Sequence, residues 1–496
     1  MKLKPTTLFI SAALGAAVVT PVQADPMLDL LKVLRDKGTI SAQDYELLTN
    51  AAKAKETQQA EEKEELLTRV ESQTSSSPTF VSLDDGGLGF QSADKAFTME
   101  IGGRIHADYA FIDDDYFPNQ AHNSGEHGND SKFRRARLGI EGTIYTDWTY
   151  ALEMDFGGGD SEVNSATLGY TGFDNTEITL GRHKMPSGLE RLTSSNRIST
   201  MERSAATDAF ALGRYNGLTV AYRGLNWTAT GGAWMGEGFG EGRDASEEKE
   251  GRDVDYGYAA RFTYAPIQTK SAVVHLGASW NRVEYDNYFE DGSIEDNNGR
   301  QRARGGIHFI DRPVQVRYLG TESADTYGLE FAAIKGPFSV QAEYFKREMS
   351  RVNYKDADVD GWHVTGTFAL TGETRGYRNG VMRTISPRNP VGKGGFGAWE
   401  LVAQYSEVDL WDSGVGSGHD RGTLEDVGIS RGGNALRATK SETWTLGVNW
   451  YPTDNIRLMA NYVDIDLSTD INKSYDSRIL HEGDIQAFMF RAQVAF

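Results

Sequence analysis

Asp484-Ile485-Gln486-Ala487-Phe488-Met489-Phe490-Arg491-Ala492-Gln493-Val494-Ala495-Phe496 closes the chain, and its reading decides the fold. Phe488, Phe490, Ala492, Val494 and Phe496 alternate with Met489, Arg491, Gln493 and Ala495. A period of two sends successive side chains to opposite faces of a strand. One face is apolar and ends on an aromatic ring; the other carries Arg491 and Gln493. Such a strand belongs between lipid and water.

The other terminus agrees. Lys2 and Lys4 precede an apolar run from Leu8 to Thr20, and Val22-Gln23-Ala24 offers small residues for a cut before Asp25. This is the layout of a secretory signal peptide, too short for a spanning helix. Nowhere later do eighteen apolar residues run together. An exported chain of this kind can enter a membrane only as a closed barrel, because every backbone polar group must be satisfied internally. A terminal Phe on an alternating strand resembles the C-terminal signature of outer-membrane β-barrel proteins.

Composition fits. Glycine is abundant at 55 and proline scarce at 12, as strands joined by turns require, and 9 Trp, 22 Tyr and 22 Phe can furnish interfacial girdles. A mean hydropathy of −0.50 suits a barrel, in which only alternate strand residues meet lipid. The net charge of −20 argues against nucleic acid as a partner. Absence of cysteine removes thiol catalysis and cysteine metal sites, and the nine histidines show no metal-ligand spacing, so no cofactor or metal is expected. No Ser-His pair sits at an interpretable spacing, which argues against an enzyme.

The organisation expected is a signal peptide over 1–24, a helical segment over 25–75, a linker over 76–94 and a barrel over 95–496. Ser41 and Asp44 have capping-box spacing. Residues 51–72 are charged and helical, and read either as a short trimerising coiled coil or as a solvated spacer. From there the period is two, with sixteen candidate strands near 97–111, 133–145, 148–157, 163–172, 176–184, 217–224, 227–235, 254–266, 272–285, 325–336, 338–349, 358–372, 397–410, 441–453, 456–467 and 484–496. Short links at Tyr145–Trp148, Phe173–Thr176, Arg223–Asn226, Lys335–Pro337 and Tyr451–Asp454 read as periplasmic turns. Longer polar stretches at 112–132, 185–216, 236–253, 286–324 and 411–440 read as extracellular loops. The link 373–396 should be a turn, yet it is long. The fold expected is all-β, a 16-stranded antiparallel transmembrane β-barrel, with the helical segment before it in the periplasm.

Strand phase assigns the charges. Trp148, Tyr150, Leu152, Met154 and Phe156 share one face, which turns Glu153 and Asp155 inward. Tyr256, Tyr258, Ala260, Phe262 and Tyr264 likewise turn Arg261 inward; Ala136, Leu138 and Ile140 turn Arg135, Arg137 and Glu141 inward; Ile101, Ile105 and Tyr109 leave Arg104, His106 and Asp108 inside. An arginine facing lipid at mid-membrane costs about 2–4 kcal/mol, so the inward assignment is forced. The stretch 182–203 carries Arg182, Lys184, Arg191, Arg197 and Arg203 against Glu190 and Glu202, and 300–317 adds Arg300, Arg302, Arg304, Arg312 and Arg317. Arginine rings select anions, and guanidinium forks match phosphate oxygens.

Residues 95–496 resemble the phosphate-selective porin O and P family, trimeric sixteen-stranded anion channels of Gram-negative outer membranes. The motifs are Gly102-Gly103-Arg104 with Ala107-Asp108-Tyr109, Phe133-Arg134-Arg135-Ala136, Tyr170-Thr171-Gly172-Phe173, Gly181-Arg182 with Gly188-Leu189-Glu190 and Thr193-Ser194-Ser195, Gln341-Ala342-Glu343-Tyr344, Leu370-Thr371-Gly372-Glu373, Gly397-Ala398-Trp399-Glu400-Leu401 and Thr445-Leu446-Gly447-Val448-Asn449-Trp450-Tyr451. The resemblance implies an inward-folded constriction loop after the fifth strand. It implies a basic anion site at Arg104, Arg134 and Arg135 on the wall with Arg191, Arg197 and Arg203 from that loop. Arg261 with Arg300, Arg302 and Arg304 is similar to the family's arginine ladder. Asn164 stands where phosphate channels carry an aspartate, which bears on selectivity. The function expected is passive uptake of phosphate or a related oxyanion by a homotrimer amid lipopolysaccharide. A general or organic-solute porin is the alternative, as is a structural tether through residues 25–75.

Overall fold

The computed structural model describes residues 34–38, 41, 43–47, 49–50, 79–82, 87–114, 128–159, 161–236, 256–285, 299–416, 429–430, 438–469 and 482–496. The expected signal peptide and the charged stretch 51–72 lie outside the described residues. Two compact units divide the chain near residue 98.

In the first unit, residues 43–47 are helical. The Asp44 N–H donates to Ser41 Oγ at 3.1 Å and the Ser41 N–H to the Asp44 carboxylate at 3.4 Å, the reciprocal bonds of a capping box. Within the stretch expected as linker, Thr79–Ser82 pairs antiparallel with Leu88–Ser92.

The second unit is a closed antiparallel barrel of sixteen strands. They are β1 (Thr98–Asp114), β2 (Asp130–Ile144), β3 (Trp148–Asp155), β4 (Glu162–Phe173), β5 (Thr176–Lys184), β6 (Arg214–Arg223), β7 (Trp227–Met235) and β8 (Tyr256–Gln268). The second half comprises β9 (Ala272–Glu284), β10 (Thr321–Lys335), β11 (Phe338–Arg351), β12 (Ala357–Ala369), β13 (Ala398–Asp409), β14 (Lys440–Tyr451), β15 (Ile456–Ser468) and β16 (Glu482–Ala495). Each expected strand is present. Closure is made by β16 against β1, with Phe490 opposite Tyr109 and Arg491 opposite Asp108. The final bonds join Phe496 to Gly103 in both directions, at 2.7 and 3.0 Å. A Cβ on Gly103 would lie 2.5 Å from the Arg137 carbonyl and 2.9 Å from the Phe496 ring, so the seam needs glycine.

The outer wall has two aromatic girdles. Trp399 pairs across strands with Trp450, and Phe338 with Phe368. Six residues further along β13, roughly 20 Å of strand, Tyr405 pairs with Trp444. Beyond this second girdle the outward positions turn acidic: Glu407, Glu442, Asp466 and Asp484 lie in register on β13 to β16. The apolar band ends there. The connections at the first girdle are short except the β12–β13 link, residues 370–397, and the long connections expected as loops leave from the second, where the β3–β4 and β11–β12 links are short.

The inner wall is less uniformly polar than strand phase implied. Phe345, Met349, Val359, Ile465, Leu467, Ala487 and Met489 face inward on β11, β12, β15 and β16. They pack with Phe210, Ile307, Val316 and Tyr318 from the β5–β6 and β9–β10 connections. An apolar core thus fills part of the lumen at the long-loop end. This is why inward faces there read as hydrophobic.

Candidate functional site

The β5–β6 connection, residues 185–213, bends inward and is bonded to the inner wall of distant strands. It contains two helical turns, α1 (Leu189–Leu192) and α2 (Ala205–Phe210). α1 starts after Gly188 at φ 77°, where a Cβ would sit 2.8 Å from Glu343 Oε1. Its first N–H groups, of Leu189 and Glu190, donate to the two Glu343 oxygens at 2.6 and 2.7 Å. The helix end needs cations, and it has them. Lys184 Nζ donates to the carbonyls of Arg191 at 2.6 Å and Thr193 at 3.2 Å; Arg203 donates to those of Glu190 at 3.2 Å and Thr193 at 2.9 Å. α2 is capped by Ser204, whose Oγ accepts the Thr207 N–H at 3.1 Å.

The six arginines expected at the anion site therefore divide by task. Arg104 Nη1 reaches Ser194 and Ser195 Oγ at 3.3 Å each, and Nη2 pairs with Glu153 at 2.7 Å. Arg134 and Arg135 both pair with Glu202, at 3.1 and 3.3 Å. Beside this pair Asp155 Oδ1 takes the N–H groups of Ala136 and Gly157, at 3.1 and 3.0 Å. Arg191 Nε donates to the Leu212 carbonyl at 2.8 Å. Arg203 is committed to the helix end, and burial together with repulsion from Arg191 pushes it down to about 10. Arg197 is half-buried, and its guanidinium makes no hydrogen bond or ion pair with any described residue.

Asn164 is buried at a β-bulge. Glu153 lies opposite Ser165 and Met154 opposite Val163, so Asn164 is the extra residue and its side chain is re-aimed inward. Its amide donates to Glu153, which also pairs with Arg137 at 3.3 Å. A carboxylate does stand in this basic pocket, one strand from Asn164.

The ladder residues do not form one row. Arg300, Arg302 and Arg304 share a face, partly exposed, while Gln301 and Ala303 are buried behind them. Arg317 lies opposite Arg300 on the returning strand Val314–Tyr318. Arg261 is elsewhere, buried and doubly bonded to Glu330 at 2.8 and 2.6 Å, with a third bond to the Gly380 carbonyl at 2.7 Å. Its charge is balanced on site.

Sequence reading missed the tethering groups. Arg491 clasps Asp108 at 2.7 and 2.6 Å, Glu202 at 2.8 Å and the Met201 carbonyl at 2.5 Å. Burial opposes ionisation of Glu202, but Arg134, Arg135 and Arg491 hold it well below the usual carboxylate range. The long β12–β13 link enters the lumen: Met382 packs on Leu189 of α1, and Tyr377 bonds His275 at 2.7 Å. Its unexpected length was the available signal. Two carboxylate–histidine groups also assemble, Asp108–Glu202–His308 and Glu190–Glu343–His363. Their carboxylates already accept from guanidiniums in the first case and from backbone N–H groups and Ser204 in the second.

The family comparison decides what such a barrel is: the pattern of phosphate-selective porin O and P matches residues 99–496. The chain belongs to that family. It is an anion-selective outer-membrane porin. Among relatives, Porin O of Pseudomonas aeruginosa is 28% identical over 432 residues, covering 83% of this chain and 91% of the relative. An uncharacterized protein of Caulobacter vibrioides is 30% identical over 384 residues, covering 76% and 70%. Solved structures similar to it include the anion-selective porin from Comamonas acidovorans, at 14% identity and TM-score 0.43 over 81% of this chain and 100% of that one. The trimer form of OmpT from Vibrio cholerae is similar at 13% identity and TM-score 0.44, over 81% and 100%.

Proposed function

We propose that this porin passes phosphate or related oxyanions by passive diffusion, and that the segment 185–213 is its selective narrowing. The observation that carries the reading is the division of labour among its arginines. Arg203 and Lys184 serve the helix end, while the Arg197 guanidinium is uncommitted among the described residues and Arg104 is presented beside Ser194 and Ser195. Hydroxyl groups next to a guanidinium offer an oxyanion both charge and hydrogen-bonding complement. Arg300, Arg302 and Arg304 would gather anions on the approach.

Glu153 gives the general-porin alternative its specific support, because it neutralises part of the wall. In the oxyanion reading the same carboxylate competes for Arg104 and speeds release. The short-turn end would face the periplasm, with residues 25–75 lying there. The barrel would assemble as a homotrimer among lipopolysaccharide.

Single-channel conductance in a planar bilayer, carried by chloride while phosphate is titrated in, tests the reading. Block at low phosphate that Arg197→Gln weakens supports it. Cation preference in a salt gradient sinks it, and anion preference without phosphate block reduces the protein to a general anion porin.

A further inference from the structure

Glu400 is a fully buried acid in the lumen of an anion channel, and its bonds explain its presence. It projects inward from β13 and is wholly excluded from solvent. Oε1 accepts Arg375 Nη2 at 2.5 Å; Oε2 accepts Asn449 Nδ2 at 3.0 Å and the Tyr451 hydroxyl at 2.8 Å. Each donor leads to the inward-folded segment. Arg375 Nη1, from the β12–β13 link, donates to the Arg197 carbonyl at 3.1 Å. Asn449 Nδ2, from β14, donates to the Ser199 carbonyl at 2.8 Å. Arg457, from β15, donates to the Ile198 carbonyl at 2.8 Å and to the Tyr451 hydroxyl at 3.4 Å. Three consecutive carbonyls are thereby referred to one carboxylate.

We propose that Glu400 is a positioning residue for permeation: through Arg375, Asn449 and the Tyr451–Arg457 pair it fixes the 197–199 backbone, and so places the Arg197 guanidinium in the path. The proposal rests on the oxyanion reading above. A carboxylate is required because it accepts at both oxygens and donates at neither. Glutamine would set an NH2 group against either Arg375 or the Asn449–Tyr451 side, releasing at least one strap. The chemistry also explains why Arg375 and Arg457 are not anion ligands. Their terminal nitrogens are engaged by backbone carbonyls and by the side chains of Glu400, Tyr451 and Gln493.

The sign of one substitution separates this role from a purely electrostatic one. Removing a negative charge from the lumen should by itself tighten phosphate block. Loss of placement should weaken it, since small displacements of a binding group are costly. For Glu400→Gln the half-blocking phosphate concentration is expected to rise about tenfold, with added current flicker. Tyr451→Phe keeps every charge and the packing, and should shift block in the same direction by less. Folding is checked by unheated gel mobility; if Glu400→Gln does not fold, Tyr451→Phe and Arg375→Lys decide. Unchanged or tighter block in a folded Glu400→Gln, or unchanged block in both substitutes, overturns the proposal alone. A wild type that phosphate does not block overturns the oxyanion reading and this proposal with it.

Discussion

At Arg104 an entering anion meets competition. Glu153 already pairs with that guanidinium and with Arg137, and accepts the Asn164 amide as well. Glu153→Gln should therefore tighten phosphate block by roughly tenfold, about one charge-assisted hydrogen bond, while lowering current at saturating phosphate. Titrating phosphate against the single-channel current reads both effects. His308 makes a separate pH prediction. Burial, with Arg134, Arg491 and Lys132 beside it, holds its imidazole well below the ordinary value despite Glu202. A histidine kept neutral in the fold but free to protonate when unfolded destabilises the fold as pH drops below about 6.5. Glu202, held low, loses its contribution only at more acid pH, near and below the unfolded carboxylate value. The thermal midpoint should fall between pH 7.5 and 5, and His308→Gln should flatten that slope. Inward placement of Arg104, Arg135, Glu153 and Arg261 was legible in the alternation. Their partners were not, because Arg104 meets Ser194 and Arg491 meets Asp108 across the closed wall.

Among the elements, strands announced themselves and connections did not. The alternation of β16 places it on an edge between lipid and lumen, and the Gly102-Gly103 pair marks where that edge closes. Gly103→Val would press a branched side chain on the Arg137 carbonyl and the Phe496 ring. It should cut the folded fraction, read as loss of the heat-modifiable gel form, whereas Gly231→Ala, which meets open space, should not. The bulge at Asn164 was invisible, since a period-two reading has no mark for one extra residue. The β12–β13 link departed from the turns in length alone. Its reason lies in the lumen, where it supplies Arg375 and Met382.

For the whole molecule, closure and apolar filling act together. The β5–β6 and β9–β10 connections cover apolar inward residues of β11, β12, β15 and β16 that would otherwise face water. Arg104, Arg137 and the Arg300–Arg304 face stay partly exposed. Barrel and N-terminal segment form separate compact units. Deleting residues 25–75 is accordingly expected to leave conductance and phosphate block of each channel intact. Native mass measurement of the same variant tests whether that segment holds trimers together.

The sequence by itself determined the class, the strand number and which charges leave lipid, because these follow from a period of two and from the cost of a charge in hydrocarbon. Tertiary structure alone decided which inward charges remain available. That depends on partners brought together by closure: Glu330 beside Arg261, Glu202 between Arg134, Arg135 and Arg491, and Glu400 beneath the 197–199 carbonyls through Arg375, Asn449 and Tyr451. Ion pairing and hydrogen bonding act over a few ångströms, and only the folded wall sets those distances.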